Sequence, residues 1–292
     1  MLARLRRMLP DLRHDAEIWR RAARHGAVHG PGAFIRYSPP VFGLGWALAL
    51  PAFRRRVAAA LRAAGARGTA LEVASVFSKY ALSLTESFAV GSGRNERLSA
   101  RIIGDARFQE ARALGRGVIV ATAHTSGWYA AGPILGSVYE DEVLVVMQHE
   151  RDSAAEDVQQ RTRDELGLQV VHVGADPLAA MPLLAHLRRG GIVALQMDRV
   201  PKGQRAVAVT LAGNPFALPE GPLQLAAASG APIVVVLGRR LAFLEYEVRV
   251  GRCVSVPRRP SRADVEATAQ AIAAQIEAFV RESPTDWFHF GA

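Results

Sequence analysis

Two residues in this sequence stand where chemistry could be done. His124 directly follows the apolar run Gly117–Ala123 (GVIVATA), and Asp198 directly follows Ile192–Met197 (IVALQM). A carboxylate that holds an imidazole in one tautomer makes the other ring nitrogen an effective base near neutral pH. Such a pair could draw the proton from a hydroxyl. A covalent hydrolase is poorly supported, because no G-x-S-x-G elbow occurs. The one cysteine, Cys253, sits in a strand-like stretch (Val248–Val256) and reads as a small core or edge residue. It also excludes a disulfide framework and any cysteine-based metal cluster. Direct transfer, with the histidine activating an acceptor hydroxyl, is the better chemistry. The plain alternative for a lone histidine after a strand is a satisfied, partly buried polar residue.

The elements that must position these residues alternate from Gly117 onward. Strand-like runs are Gly117–Ala123, Glu142–Met147, Leu168–Val173, Ile192–Met197, Pro232–Leu237 and Leu244–Val250, with Arg205–Leu211 a further candidate. Helical stretches fall between and after them at Gly127–Gly136, Ser153–Leu166, Pro177–Arg189, Glu220–Ser229 and Arg262–Glu282. Continuous apolar strands separated by helices predict an α/β fold with a mainly parallel central sheet covered on both faces. Ligands of such sheets bind beyond the carboxyl ends of the strands. That rule singles out His124–Ser126, Gln148–Arg151, Gly174–Asp176, Asp198–Arg199 and Gly238–Arg240. If the strands before His124 and Asp198 are neighbours, the two side chains can bond.

The first ninety residues read as helical. Asp11–Arg24 is basic and amphipathic, Gly26–Gly32 is a break, and Arg55–Ala66 and Ala70–Ala89 resume helical periodicity. Between them lies Val41–Phe53 (VFGLGWALALPAF), interrupted by Gly43, Gly45 and Pro51 and followed by Arg54–Arg56. The segment is too short to span a membrane, and a signal peptide is not expected. An apolar stretch with a tryptophan, abutting arginines, fits an interfacial anchor or a hairpin packed on the domain. The expected division is a helical, membrane-associating region at 1–90 and an α/β transferase domain at 91–292, in one continuous unit.

A formal net charge of +9 implies an anionic partner. The only lysines are Lys79 and Lys202, so nearly all of the positive charge is arginine. With no helix-turn-helix, zinc finger or stacking-aromatic motif, nucleic acid is not the expected partner. Anionic membrane lipids or an acidic carrier protein fit instead.

The motifs together resemble a known family. Ala123-His124-Thr125-Ser126-Gly127-Trp128 is similar to the histidine motif of the bacterial lipid A biosynthesis (lauroyl/myristoyl) acyltransferases, within the lysophospholipid acyltransferase superfamily. Asp198 looks like that family's Asp at the end of a central strand. Gly213–Arg239 (GNPFALPEGPLQLAAASGAPIVVVLGR) is similar to its Gly-rich stretch, apolar strand and arginine, and Pro284–Phe290 (PTDWFHF) to its closing Pro/Trp segment. The likeness runs from about Val41 onward. It implies a glycerol-3-phosphate acyltransferase-like fold on the cytoplasmic face of the bacterial inner membrane, held peripherally or interfacially. The implied donor is a fatty acyl thioester on acyl carrier protein or coenzyme A, the acceptor a lipid or glycolipid hydroxyl, with no cofactor or metal.

The family's motif has an acid five residues after the histidine, where this chain has Tyr129. A phenol, with a pKa of about 10, cannot replace a carboxylate at neutral pH. Asp198 or Glu150 could orient His124 instead, Tyr129 could bond the imidazole or the acceptor, or the site could be non-catalytic. Backbone amides at the start of the Ser126–Gly136 helix are the expected oxyanion donors, with Ser126 as its cap. Arg199, Arg239 and Arg240 are candidate phosphate ligands, or solvated rim residues. Glu220, in Leu218–Gly221, stands either in an acceptor motif or as a helix cap. Trp128, Phe216 and Trp287 could line an acyl groove, or simply fill the core. The competing functions are an acyltransferase for a specialised lipid other than lipid A and a non-catalytic lipid-binding homologue.

Overall fold

The computed structural model describes residues 17–91, 98–128, 143–147, 164, 169–173 and 177–290. The helices expected at 127–136 and 153–166, and the rim segments 148–151 and 174–176, lie wholly or mainly outside these residues.

The helical region consists of α1 (Glu17–His29), α2 (Gly32–Ala49), α3 (Pro51–Ala63) and α4 (Ala70–Gly91). Pro51 starts α3, where its missing N–H costs nothing. The break expected at Gly26–Gly32 shrinks to Gly30–Pro31, and α2 runs straight through Gly43 and Gly45. Gly43 is not a breaker because it is a contact: a Cβ there would lie 2.7 Å from the Phe77 carbonyl oxygen of α4. The absent side chain lets α2 rest against the backbone of α4. Ala47, Val57, Leu61, Val73, Val76 and Phe77 close a small core between these helices, and Phe288 from the far end of the chain joins it.

The rest is an α/β layer structure. Its strands are β1 (Ser99–Ile103), β2 (Val118–Thr122), β3 (Val143–Met147), β4 (Gln169–His172), β5 (Ile192–Gln196), β6 (Ala206–Leu211), β7 (Asn214–Pro219), β8 (Ile233–Ala242) and β9 (Glu245–Val254). Between and after them come α5 (Asp105–Ala113), α6 (Met181–Arg188), α7 (Gly221–Ser229) and α8 (Arg262–Glu282). Seven strands form one sheet in the order β1-β9-β8-β2-β5-β3-β4. From β8 to β4 all neighbours are parallel, whereas β9 returns antiparallel beside β8. Alternate residues of the central strands enter two cores. Ile119, Ala121, Val193, Leu195, Ile233 and Val235 face α6, α7 and α8, whereas Val118, Val120, Ile192, Ala194, Val234 and Val236 face α5. The α8 helix opens with a capping box between Ser261 and Asp264 and buries Val265, Ala269, Ile272, Ala273, Ile276 and Val280.

Three features depart from the sequence reading. β1 and α5 are additional, since SARII is half exposed and DARFQEARA carries little apolar periodicity. Asn214–Pro219 is a strand although two prolines bound it. Among the described residues it pairs only with β6, in a two-stranded ribbon off the main sheet. The strand expected at Leu244–Val250 runs on to Val254.

Gly43→Val should cost about 1–3 kcal/mol of stability, because the added atoms meet backbone that cannot rotate away. Urea denaturation of the two proteins checks it.

Candidate active site

The parallel register pairs Thr122 with Gln196, and the Met197 amide donates to the Thr122 carbonyl at 2.7 Å. Two residues further along each strand, the chain places His124 beside Asp198. His124 Nδ1 lies 2.7 Å from Asp198 Oδ1, and the His124 backbone amide donates to Oδ2 at 3.1 Å. Asp198 is completely buried, while about a quarter of the His124 side chain is accessible. An ionised carboxylate only accepts, so the shared proton sits on Nδ1, and in the neutral imidazole Nε2 carries the lone pair. No hydrogen bond to Nε2 occurs among the described residues. Burial alone would push the Asp198 carboxyl up. The charge and hydrogen bond of His124, the Arg199 charge and the Trp287 indole outweigh it and hold the group well below the usual carboxylate range.

The turn carrying His124 is fastened from three directions. Gly127 and Gly238 touch backbone to backbone, with the Gly127 amide donating to the Gly238 carbonyl at 3.2 Å. A Cβ on Gly127 would come within 2.6 Å of Gly238 Cα, so neither position has room for a side chain. The segment 284–290 then crosses the turn as a strap. The Phe288 amide donates to the His124 carbonyl at 2.6 Å, the Ser126 amide to the Asp286 carbonyl at 2.9 Å, and Thr125 pairs with Trp287 as an isolated bridge. Trp287 Nε1 donates to Asp198 Oδ2 at 2.8 Å. From α4, Lys79 holds the strap by donating to Thr285 Oγ1 (2.9 Å) and Asp286 Oδ2 (2.6 Å). Two turns along, the buried carboxylate of Glu86 takes bonds from Arg240 Nε (2.8 Å) and the Tyr246 hydroxyl. Burial first, and the Glu86 charge second, push that phenol well above its ordinary range.

Of the candidate residues, His124 and Asp198 meet, and Arg199 joins them through its effect on Asp198 and a bond from Nη2 to the Phe288 carbonyl. Ser126 is not open to substrate, and the helix it was expected to cap lies beyond the described residues. Its fully buried hydroxyl donates to Asp286 Oδ1 at 2.5 Å and accepts from the Arg240 amide at 2.8 Å. The amides expected to form an oxyanion hole are also occupied at this end. Those of Thr125, Ser126, Gly127 and Trp128 donate to the carbonyls of Ala123, Asp286, Gly238 and Thr125. Trp128 is half-buried against the core on the α5 side. Arg239 turns to Glu247 and Glu282 instead of standing open for phosphate. Glu220 makes no cap bond. Its carboxylate is bound by Gln224 and Arg262, beside an open depression of about 520 Å³ that neither His124 nor Asp198 lines. Tyr129 and Glu150 lie outside the described residues.

Sequence reasoning missed Lys79, Asp286 and His289, and it gave Trp287 only an apolar part. The closing PTDWFHF segment, noted only as a resemblance, was the available signal. His289 stacks on Trp287 with ring centroids 4.7 Å apart. Burial, only partly countered by the Asp198 charge, pushes its imidazole down to about 4.

Both shifts are downward, which fixes the sign of their linkage to stability. Unfolded histidine titrates near ~6.5 and unfolded aspartate near ~3.9. The His289 contribution is therefore complete above about pH 6.5 and is lost as pH falls towards 4. The Asp198 contribution is complete above about pH 4 and is lost below it. Acid destabilisation should thus come in two stages. His289→Phe should flatten the first and Asp198→Asn the second, as read by urea unfolding from pH 7.5 to 3.

No individually curated protein matches this chain. The family profile described as bacterial lipid A biosynthesis acyltransferase does match, over residues 72–291. That span begins in α4, takes in the whole sheet and ends with the strap. It covers about three quarters of the sequence and contains His124, Asp198 and every residue that fastens them. The chain belongs to the bacterial lipid A biosynthesis acyltransferase family and is an acyltransferase enzyme.

Proposed function

We propose that this acyltransferase moves a fatty acyl chain from a thioester, on acyl carrier protein or coenzyme A, to a hydroxyl of a lipid or glycolipid at the cytoplasmic face of the bacterial inner membrane. The observation that carries the reading is the 2.7 Å contact between His124 Nδ1 and the buried Asp198 carboxylate. In the step it supports, His124 Nε2 takes the acceptor proton as the hydroxyl oxygen attacks the thioester carbonyl carbon. The tetrahedral intermediate collapses, its C–S bond breaks, and the leaving thiolate receives the proton from Nε2. The products are an ester and a free thiol, and no cofactor or metal enters. Asp198 fixes the tautomer and balances the transient imidazolium. An intact pair favours this reading over a non-catalytic lipid-binding role, since Asp198 supplies the carboxylate that position 129 lacks. Acceptors other than lipid A fit the same chemistry.

The membrane part of the proposal rests on the helices up to residue 90, with 91–292 as the transferase region. Phe34, Tyr37, Val41, Leu44 and Leu48 are all exposed on α2 and recur at three- and four-residue steps. They make one apolar stripe about 20 Å long at 1.5 Å per residue. The opposite face carries the buried Ile35, Pro39, Gly43 and Ala47. From Ile18 to Leu71 there is no Asp or Glu, while Arg54–Arg56 follow α2 closely. Anionic headgroups suit that charge and acyl chains suit the stripe. No helix among the described residues is long and apolar enough to cross a membrane, so the proposed attachment is interfacial.

Two measurements test the reading. His124→Ala and Asp198→Asn should each lower transfer from acyl carrier protein thioester to a lipid hydroxyl by about 10²–10⁴-fold; full activity in either variant removes that residue from the mechanism. Val41→Glu combined with Leu48→Glu should abolish flotation with phosphatidylglycerol-containing vesicles while leaving thermal unfolding unchanged. Undiminished binding would move the docking face elsewhere.

A further inference from the structure

The Asp198 carboxylate has two oxygens with different duties. Oδ1 accepts from His124 Nδ1 at 2.7 Å, while Oδ2 accepts from Trp287 Nε1 at 2.8 Å and from the His124 backbone amide at 3.1 Å. We infer that the Trp287 indole is the third member of this pair, a positioning residue that fixes the carboxylate and, through it, the tautomer and basicity of His124. The inference rests on the reading of His124 as the base.

The torsion that rotates a carboxylate is soft and roughly two-fold, so Oδ1 stays on His124 only if Oδ2 is held elsewhere. The shorter of the two bonds that hold Oδ2 comes from Trp287. An indole N–H suits the task because it only donates and does not ionise, so it never competes for the proton on the imidazole. Trp287 is itself held firmly. It is buried, its backbone bridges Thr125, and His289 stacks on its ring. Its neighbour Asp286 is tied to Lys79 and Ser126, and Phe288 to His124 and Arg199. A tryptophan that merely filled space would need none of this registration.

The test replaces Trp287 with β-(3-benzothienyl)-L-alanine, which keeps the bicyclic shape and puts sulfur in place of the N–H. Trp287→Phe serves as the genetically encoded comparison, with thermal unfolding as its control. The isostere should lower kcat about 10- to 100-fold, the range set by one hydrogen bond to a charged group, with KM little changed. The acidic limb of the kcat/KM profile should move to lower pH, because a carboxylate free to rotate stabilises the imidazolium less. The ¹⁵N spectrum of His124 should pass from one neutral tautomer, with the proton on Nδ1, to a mixture. A variant with wild-type kcat, pH profile and tautomer would overturn the inference. A changed tautomer in a protein that transfers no acyl group, wild type included, would sustain the role of Trp287 and sink the proposed function instead.

Discussion

A carboxylate with no access to water is the constraint from which the rest of the site follows. An isolated charge in such a place is costly, and it persists only when its lone pairs meet donors. Asp198 meets three: the imidazole, the backbone amide of the same histidine and an indole. They come from parts of the chain far apart in sequence. The end of β2 supplies the first two, beside the parallel β5 that carries Asp198, and the strap supplies the third. Loss of one donor leaves a buried charge short of a partner, so strand order, the Gly127–Gly238 contact and the strap are conditions on one another.

The helical region takes part in this arrangement. Lys79 and Glu86 lie seven residues apart on α4, two turns along one face, and reach into the transferase from there. Lys79 holds the strap, and Glu86 holds the end of β8 through Arg240. On its other side α4 receives α2 at Gly43, and α2 turns its apolar stripe outward. The order of layers is therefore stripe, α2, α4, strap and dyad.

Much of this was legible in the sequence because it depends on local pattern. Short apolar runs such as GVIVATA and IVALQM, with β-branched residues and a glycine at or just before their start, read as strands buried on both faces, and a strand end in a parallel sheet is a rim position. That logic located His124 and Asp198 and suggested their bond. What was not legible depends on pairing across long separations. Nothing local to Ser126 says that Asp286 and the Arg240 amide will occupy its hydroxyl, and nothing local to Arg239 foretells Glu247. Gly43 misled because glycine reads as a breaker, whereas its value here is the closeness it permits. The half-exposed β1, which carries Arg101 in its middle, lacks the apolar density that makes a strand conspicuous.

The strap also gives the protein an order of assembly. Synthesis runs from the N-terminus, and units tend to fold as they appear. The helices with the outward apolar stripe leave the ribosome before the imidazole and the carboxylate, and the indole that fastens them comes 89 residues after Asp198. Until it arrives, the carboxylate lacks a donor and the turn bearing His124 lacks the backbone partners that lie in the strap. The apolar stripe of α2 is therefore in place before the donors of the buried carboxylate can be completed.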